Sequence, residues 1–194
     1  MEAQTNKRVA VFFAEGMEEI EGLTVVDILY RAGIPCDMVA ITPELTVVSS
    51  HNVTLVCHRS IYDVDFDFAS YDMLVLPGGL PGTTHLAACT PLCDALKEFA
   101  ALKKNLAAIC AAPSILAELG LLQGRIATAN PGFQQILAQQ GAQVVTAAVA
   151  HDGTIITSQG MATALDFALE IVRTYLDEEA VQKVRTSVVD MRAL

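Results

Sequence analysis

Residues 108–120, AICAAPSILAELG, start in the rhythm of a strand and finish in that of a helix, with Cys110 at the changeover. The apolar run 105–110 reads as a buried strand, 113–119 as the helix that follows, and Gly120 as that helix's C-terminal stop. The same unit recurs on either side. Residues 7–14, KRVAVFFA, form a β-favouring run; after Gly16 the rhythm of MEEIEGLTVVDILYRAGI turns helical and stops at Ala32-Gly33. Residues 71–76 are the most apolar strand and lead into PGGLPG. The stretch THLAACTPLCDALKEFAALKK then gives helix, with Thr90 as N-cap and Pro91 at the first helical position.

The remaining segments fit the same scheme. Residues 36–41 repeat the strand signal, and 46–59 carry two β-rich arms around Ser49-Ser50-His51-Asn52, as in a hairpin. A short helix is predicted over 132–140. Arms at 142–149 and 154–158 flank His151-Asp152-Gly153 as a second hairpin. A long amphipathic helix over 162–176 and a last helix over 178–189 complete the chain. Strands alternating with helices predict an α/β fold: a mostly parallel sheet with helices on both faces and hairpin strands at its edges. No linker or repeat divides it, so residues 1–194 read as a single domain.

Composition agrees. A chain of 194 residues that is 53% hydrophobic and 18% charged has enough apolar side chain for a large core, which excludes disorder. No apolar run approaches the ~20 residues needed to cross a bilayer. The net charge is −10 and no basic cluster exceeds Lys103-Lys104, so the footprint of a nucleic-acid binder is missing. Cys36, Cys57, Cys89, Cys93 and Cys110 form no CxxC and are expected as reduced thiols. His51, His58, His85 and His151 lack ligand spacing, and no metal site is expected. The polar start MEAQTNKRV carries no secretory signal, which makes the cytoplasm the expected compartment.

In an open α/β sheet the site lies where strands lead into helices. Three such turns stand out, AEGMEEIEG, LPGGLPGT and ICAAPS, and they converge if their strands are neighbours. Cys110 is then projected from a tight strand-to-helix turn, where helix N–H groups favour a reactive thiolate. The competing reading is an inert thiol that fills the end of an apolar strand. Glu18, Glu19 and Glu21 all suit the first turn of a helix. Thr24, Asp27 and Arg31 mark that helix's solvent face, whereas Glu21 stacks with Val25 and Ile28 on the apolar side, where its carboxyl should hold a raised pKa. Gly78 and Gly79 allow a sharp turn with accessible N–H groups, as an oxyanion hole requires, and equally form an ordinary turn. Nothing in the spacing sets His85 against Cys110.

Together AEGMEEIE, YDMLVLPGG, AAICAAP and TSQGMATALDFALEIV resemble the ThiJ/PfpI superfamily, in particular its DJ-one (Parkinson disease protein) branch, in order over nearly the whole chain. That resemblance implies a flavodoxin-like three-layer sandwich, a homodimer and no cofactor. It also implies Cys110 as the reactive cysteine, Glu21 as its partner acid, and Gly78, Gly79 and Ala111 as oxyanion-type backbone. The implied activity is a glyoxalase or deglycase acting on α-oxoaldehydes or their adducts. The alternative is a redox-responsive or chaperone-like protein acting through a Cys110 sulfinate. Departures narrow this. Asn130 stands where several relatives carry a histidine before a proline, and Ala111 where the peptidase branches carry one, which disfavours a cysteine peptidase or amidase. The run from Ser158 to Thr163, SQGMAT, lacks the arginine and proline of the family's pattern, leaving Asn130 and Ser158 as expected pocket residues.

Overall fold

The computed structural model describes residues 3–193. Its strands are β1 (Val9–Phe13), β2 (Cys36–Ala40), β3 (Thr46–Val48), β4 (Thr54–Val56), β5 (Arg59–Ser60), β6 (Met73–Leu76), β7 (Asn105–Ile109), β8 (Ile126–Ala127), β9 (Gln143–Val144), β10 (Val149–Asp152) and β11 (Ile155–Ser158). Its α-helices are α1 (Glu19–Ala32), α2 (Gly82–Ala88), α3 (Thr90–Ala101), α4 (Pro113–Glu118), α5 (Gln134–Gln139), α6 (Ala164–Tyr175) and α7 (Glu178–Ser187). The main sheet runs β10-β11-β7-β6-β1-β2-β5 and is parallel except for the β10–β11 pair. β7, β6 and β1 are therefore adjacent, and the three turns suspected of chemistry leave the same sheet edge side by side.

Alternation along the central strands builds two apolar layers. Val9, Val11 and Phe13 of β1, with Met73 and Val75 of β6, pack toward α1, α6 and α7. Ala10, Phe12, Leu74 and Leu76 face the opposite way, against α2, α3, α4 and α5. A sheet buried on both faces requires continuous apolar strands, and all five residues of β1 are buried. α1 ends where Gly33 takes a left-handed backbone (φ 71°) and returns its N–H to the carbonyls of Leu29 and Tyr30, a turn that Gly adopts without steric cost. No helix among the described residues is long and apolar enough to cross a membrane.

Three details differ from the sequence reading. The helix expected to start at Thr90 is α3, with Cys89 rather than Thr90 as its N-cap, and the residues before it form a separate helix, α2, because Cys89 has extended backbone and Pro91 has no N–H to continue an earlier helix. The arm at 142–149 is divided between β9, which pairs in parallel with the two-residue β8, and β10. Strands this short leave no periodicity to read. The first hairpin, β3–β4, stands as its own ribbon rather than as a sheet edge. It is fastened to the turn after β1: Val48 N–H donates to the Glu15 carboxylate at 2.9 Å, and Gly16 N–H to the Val48 carbonyl at 2.8 Å.

Candidate active site

Cys110 follows the last residue of β7 and has φ 66°, a left-handed backbone that a non-glycine residue adopts only when its surroundings hold it there. Cys110 N–H donates to the Ser158 carbonyl of β11 (3.0 Å), and its own carbonyl accepts from Asn130 N–H (2.9 Å). Strict alternation would send its side chain to the α3–α4 layer with Leu106 and Ala108. The left-handed turn instead packs it against the layer that contains α1. That is where Glu21 waits.

Glu21 lies in the first turn of α1 and is only 1% exposed, as its helical phase predicts. Its Oε2 accepts from Gly78 N–H at 2.8 Å, and its carboxyl shares a hydrogen bond with the Cys110 thiol. Gly78 has to be glycine. A Cβ there would sit 2.6 Å from Cys110 Cβ and 2.8 Å from Glu21 Oε2. Gly79, at φ 89°, would place a Cβ 2.3 Å from Glu18 N. Gly78 thus lets the turn after β6 press against Cys110 and Glu21, and Gly79 lets it press against the backbone of the turn after β1.

The charges are coupled. Burial pushes the Glu21 carboxyl up from about 4.5 to about 7, against the pull of the Gly78 N–H and the Cys110 thiol, with the nearby Glu18 charge pushing the same way as burial. Burial, then the Glu21 negative charge and the hydrogen bond to it, push the Cys110 thiol up to about 12; N–H groups of Ala111 and Gly79 pull weakly the other way. This is opposite to the thiolate expected from a helix N-terminus, because burial first, and then the Glu21 carboxylate, outweigh the N–H groups. Both contributions of Glu21 belong to its ionised form. A proton on Glu21 removes both of these contributions, and it converts the carboxyl from acceptor to donor toward the sulfur, so the two groups titrate as a pair. No lysine, arginine or histidine contributes to either shift.

A stability consequence follows. Since the folded pKa of Glu21 is raised, its contribution to stability is fully present below about pH 4.5 and lost as pH rises through 7. The interval corresponds to about 3 kcal/mol, on the order of 1.4 kcal/mol per pH unit. Glu21→Gln keeps the acceptor for Gly78 N–H and cannot ionise. It is expected to melt near wild type at pH 5 and roughly 6–12 °C above it at pH 8, at about 2–4 °C per kcal/mol for a chain of this size. Equal melting-temperature differences at the two pH values would contradict the burial argument.

The other expected site residues divide. Gly79 and Ala111 direct N–H groups toward the sulfur, whereas the Gly78 N–H is engaged by Glu21 and is not free for an oxyanion. Ser158 is not a pocket residue: its hydroxyl donates to the Ala148 carbonyl (2.8 Å) and meets Thr163 Oγ1 (2.7 Å), and only its carbonyl serves the site by holding Cys110 N–H. Gln159, in the place of the family's arginine, donates its side-chain amide to the Thr146 carbonyl. His85 Nδ1–H donates to the Glu15 carbonyl at 2.8 Å and lies outside the pair's hydrogen bonds. Sequence reasoning missed Gly160. An ideal Cβ on Gly160 would stand 3.8 Å from Asn130 Nδ2, 3.8 Å from Glu21 Oε1 and 3.9 Å from Cys110 Sγ, so this residue walls the site and leaves it open. The available signal was a glycine two residues beyond a strand that ends beside Cys110. Glu18, Glu19 and His51 also bring three potential ligand atoms within 4.8 Å, where the turn joining β3 and β4 meets the start of α1 and a His51 ring nitrogen lies 3.2 Å from the Glu19 carboxylate.

Comparison with known proteins places this geometry. Residues 7–174 match the DJ-1/PfpI family. Protein DJ-1 homolog B of Arabidopsis thaliana is 39% identical over 173 residues, covering 89% of this chain; the chain spans 39% of that relative's length. The glutathione-independent glyoxalase DJR-1.2 of Caenorhabditis elegans is 30% identical over 160 residues, 82% of this chain and 83% of that protein. The crystal structure of Drosophila melanogaster DJ-1beta superimposes with a TM-score of 0.88 at 32% identity, covering 95% of this chain and 98% of that one. With its fold and its sequence from β1 to α6 both matched, the chain belongs to the DJ-1/PfpI family.

Proposed function

We propose that the chain is a cofactor-independent glyoxalase, converting 2-oxoaldehydes such as methylglyoxal to 2-hydroxy acids, with deglycation of early adducts as the same chemistry on a substituted carbonyl. The observation that carries this reading is a buried carboxyl titrating at about 7 in hydrogen-bond contact with a thiol, beside two backbone N–H groups. A carboxyl with that pKa both takes and returns protons at neutral pH, which an isomerisation between adjacent carbons demands. The Caenorhabditis elegans glyoxalase supports the assignment by its likeness over most of both chains.

Glu21 takes the Cys110 proton as sulfur bonds to the aldehyde carbon, and then passes it to the new oxyanion, which the N–H groups of Gly79 and Ala111 hold meanwhile. The product is a hemithioacetal. Glu21 next removes the hydrogen from that carbon, giving an enediol, and delivers a proton to the neighbouring carbon, giving a 2-hydroxy thioester. Water then cleaves the thioester, releasing the hydroxy acid and restoring the thiol. Methylglyoxal plus water thus becomes lactate with no change in overall oxidation state, and Glu21 carries every proton. The test is lactate formation from methylglyoxal by the wild-type chain without glutathione. No lactate at micromolar protein would remove the reading.

A further inference from the structure

The site presents one more polar group, the side-chain amide of Asn130, near Gly160. Asn130 Oδ1 accepts from Gly132 N–H at 3.0 Å, which fixes the orientation of the carboxamide. Its Nδ2 is then the end that faces the site. Among the described residues Nδ2 has no protein partner, while the backbone of Asn130 is locked in place: its N–H donates to the Cys110 carbonyl (2.9 Å) and its carbonyl accepts from Phe133 N–H (2.7 Å). The Cβ position of Gly160 lies 3.8–3.9 Å from Asn130 Nδ2, Glu21 Oε1 and Cys110 Sγ alike. Three functional atoms therefore surround one small opening, each within reach of a two- or three-carbon molecule bonded to sulfur.

We infer that Asn130 is a catalytic residue that donates an Nδ2–H hydrogen bond to the C2 oxygen of a 2-oxoaldehyde held on Cys110. The inference rests on the glyoxalase reading and assigns the atom that reading leaves unattended. While Glu21 removes the C1 hydrogen, electron density moves onto the C2 oxygen, and the oxyanion N–H groups are occupied with the C1 oxygen. A donor at the C2 oxygen lowers the barrier to the enediol, and a carboxamide does so without a proton of its own to lose. The site is thereby fitted to uncharged 1,2-dicarbonyls: a neutral donor at one end, and a carboxyl that repels anions at the other.

Asn130→Asp separates this role from the structural one. Aspartate retains the acceptor for Gly132 N–H and loses the donor. Lactate formation should fall about 10²–10³-fold in kcat with KM changed far less, the loss typical of an oxyanion donor, while the melting temperature stays near wild type. Asn130→Leu, which loses both, should show the same loss in kcat. A second measurement is independent of turnover: protection of Cys110 from iodoacetamide by methylglyoxal, divided by protection by propionaldehyde, which has no C2 oxygen. The quotient cancels changes in the thiol itself and should fall at least about tenfold in Asn130→Asp. A variant that keeps its kcat, or a quotient equal to wild type, overturns the assignment. If the wild type makes no lactate, the glyoxalase reading fails, and the quotient alone decides whether Asn130 holds the C2 oxygen.

Discussion

Cys110→Ala is expected to lower methylglyoxal turnover by at least about 10⁴-fold, and Glu21→Gln by about 10²–10⁴-fold, with the double variant no slower than Cys110→Ala alone. The non-additivity follows from the geometry. Glu21 acts on a carbon that is bonded to the sulfur of Cys110, so without the sulfur it has no adduct to act on. The single variants should also fail at different steps. Cys110→Ala forms no adduct. Glu21→Gln retains the sulfur and loses the negative charge that pushes the thiol up, so its Cys110 should be alkylated faster than wild type near pH 8. On exposure to methylglyoxal it should accumulate the hemithioacetal, visible as an intact-mass increment absent from Cys110→Ala. Turnover surviving in Glu21→Gln, or an additive double variant, would separate the carboxyl from the chemistry.

Gly78→Ala is expected to disable the same site from the opposite side. The added methyl would meet Cys110 Cβ at 2.6 Å, Glu21 Oε2 at 2.8 Å and the Ile109 carbonyl at 3.0 Å. Two of these belong to the end of β7 and cannot swing aside, so the methyl is accommodated by parting the β6 and β7 turns or by displacing Glu21. Either movement breaks the 2.8 Å bond from Gly78 N–H. Overpacking of this kind costs about 1–3 kcal/mol, and a misplacement near 1 Å at the reacting groups lowers the rate about 10²-fold. Gly120→Ala is the matching control. Gly120 has a positive φ (76°), which Gly78 lacks, and a Cβ there meets nothing within 4 Å, so that variant should lose about 1 kcal/mol of stability and keep its turnover. Lactate assays and thermal melts on the two variants decide the matter, and equal kcat values in both would refute the tight-packing argument.

Much of this was legible in the residues. The order of strands and helices, the left-handed stop at Gly33 and the inward phase of Glu21 all follow from periodicity, because burial on one face leaves a trace in the sequence. The adjacency of β1, β6 and β7 was needed for the site, and the parallel α/β pattern anticipates it without fixing it. What the sequence could not carry were quantities set by three-dimensional contact. The thiol's pKa is set first by its burial and then by the Glu21 carboxylate, which reaches it from far along the chain. Ser158 looks identical as pocket or brace until Ala148 and Thr163 are seen to engage its hydroxyl. Gly160 has no side chain to suggest a role, and its importance is the space it leaves.

The groups of the candidate site come from positions 21, 78 and 110, at three strand-to-helix turns that meet only when β1, β6 and β7 have paired. Contacts so far apart in sequence form late, after the loop entropy between them has been overcome. Until then Cys110 lies in a flexible stretch of apolar residues with neither base nor oxyanion donors beside it. During synthesis on the ribosome, β1 and α1 emerge with Glu21 long before the thiol does, and the nascent chain carries no working catalyst. The proposed reactivity toward carbonyls therefore belongs to the finished domain, and a truncated copy ending before β7 holds Glu21 without Cys110.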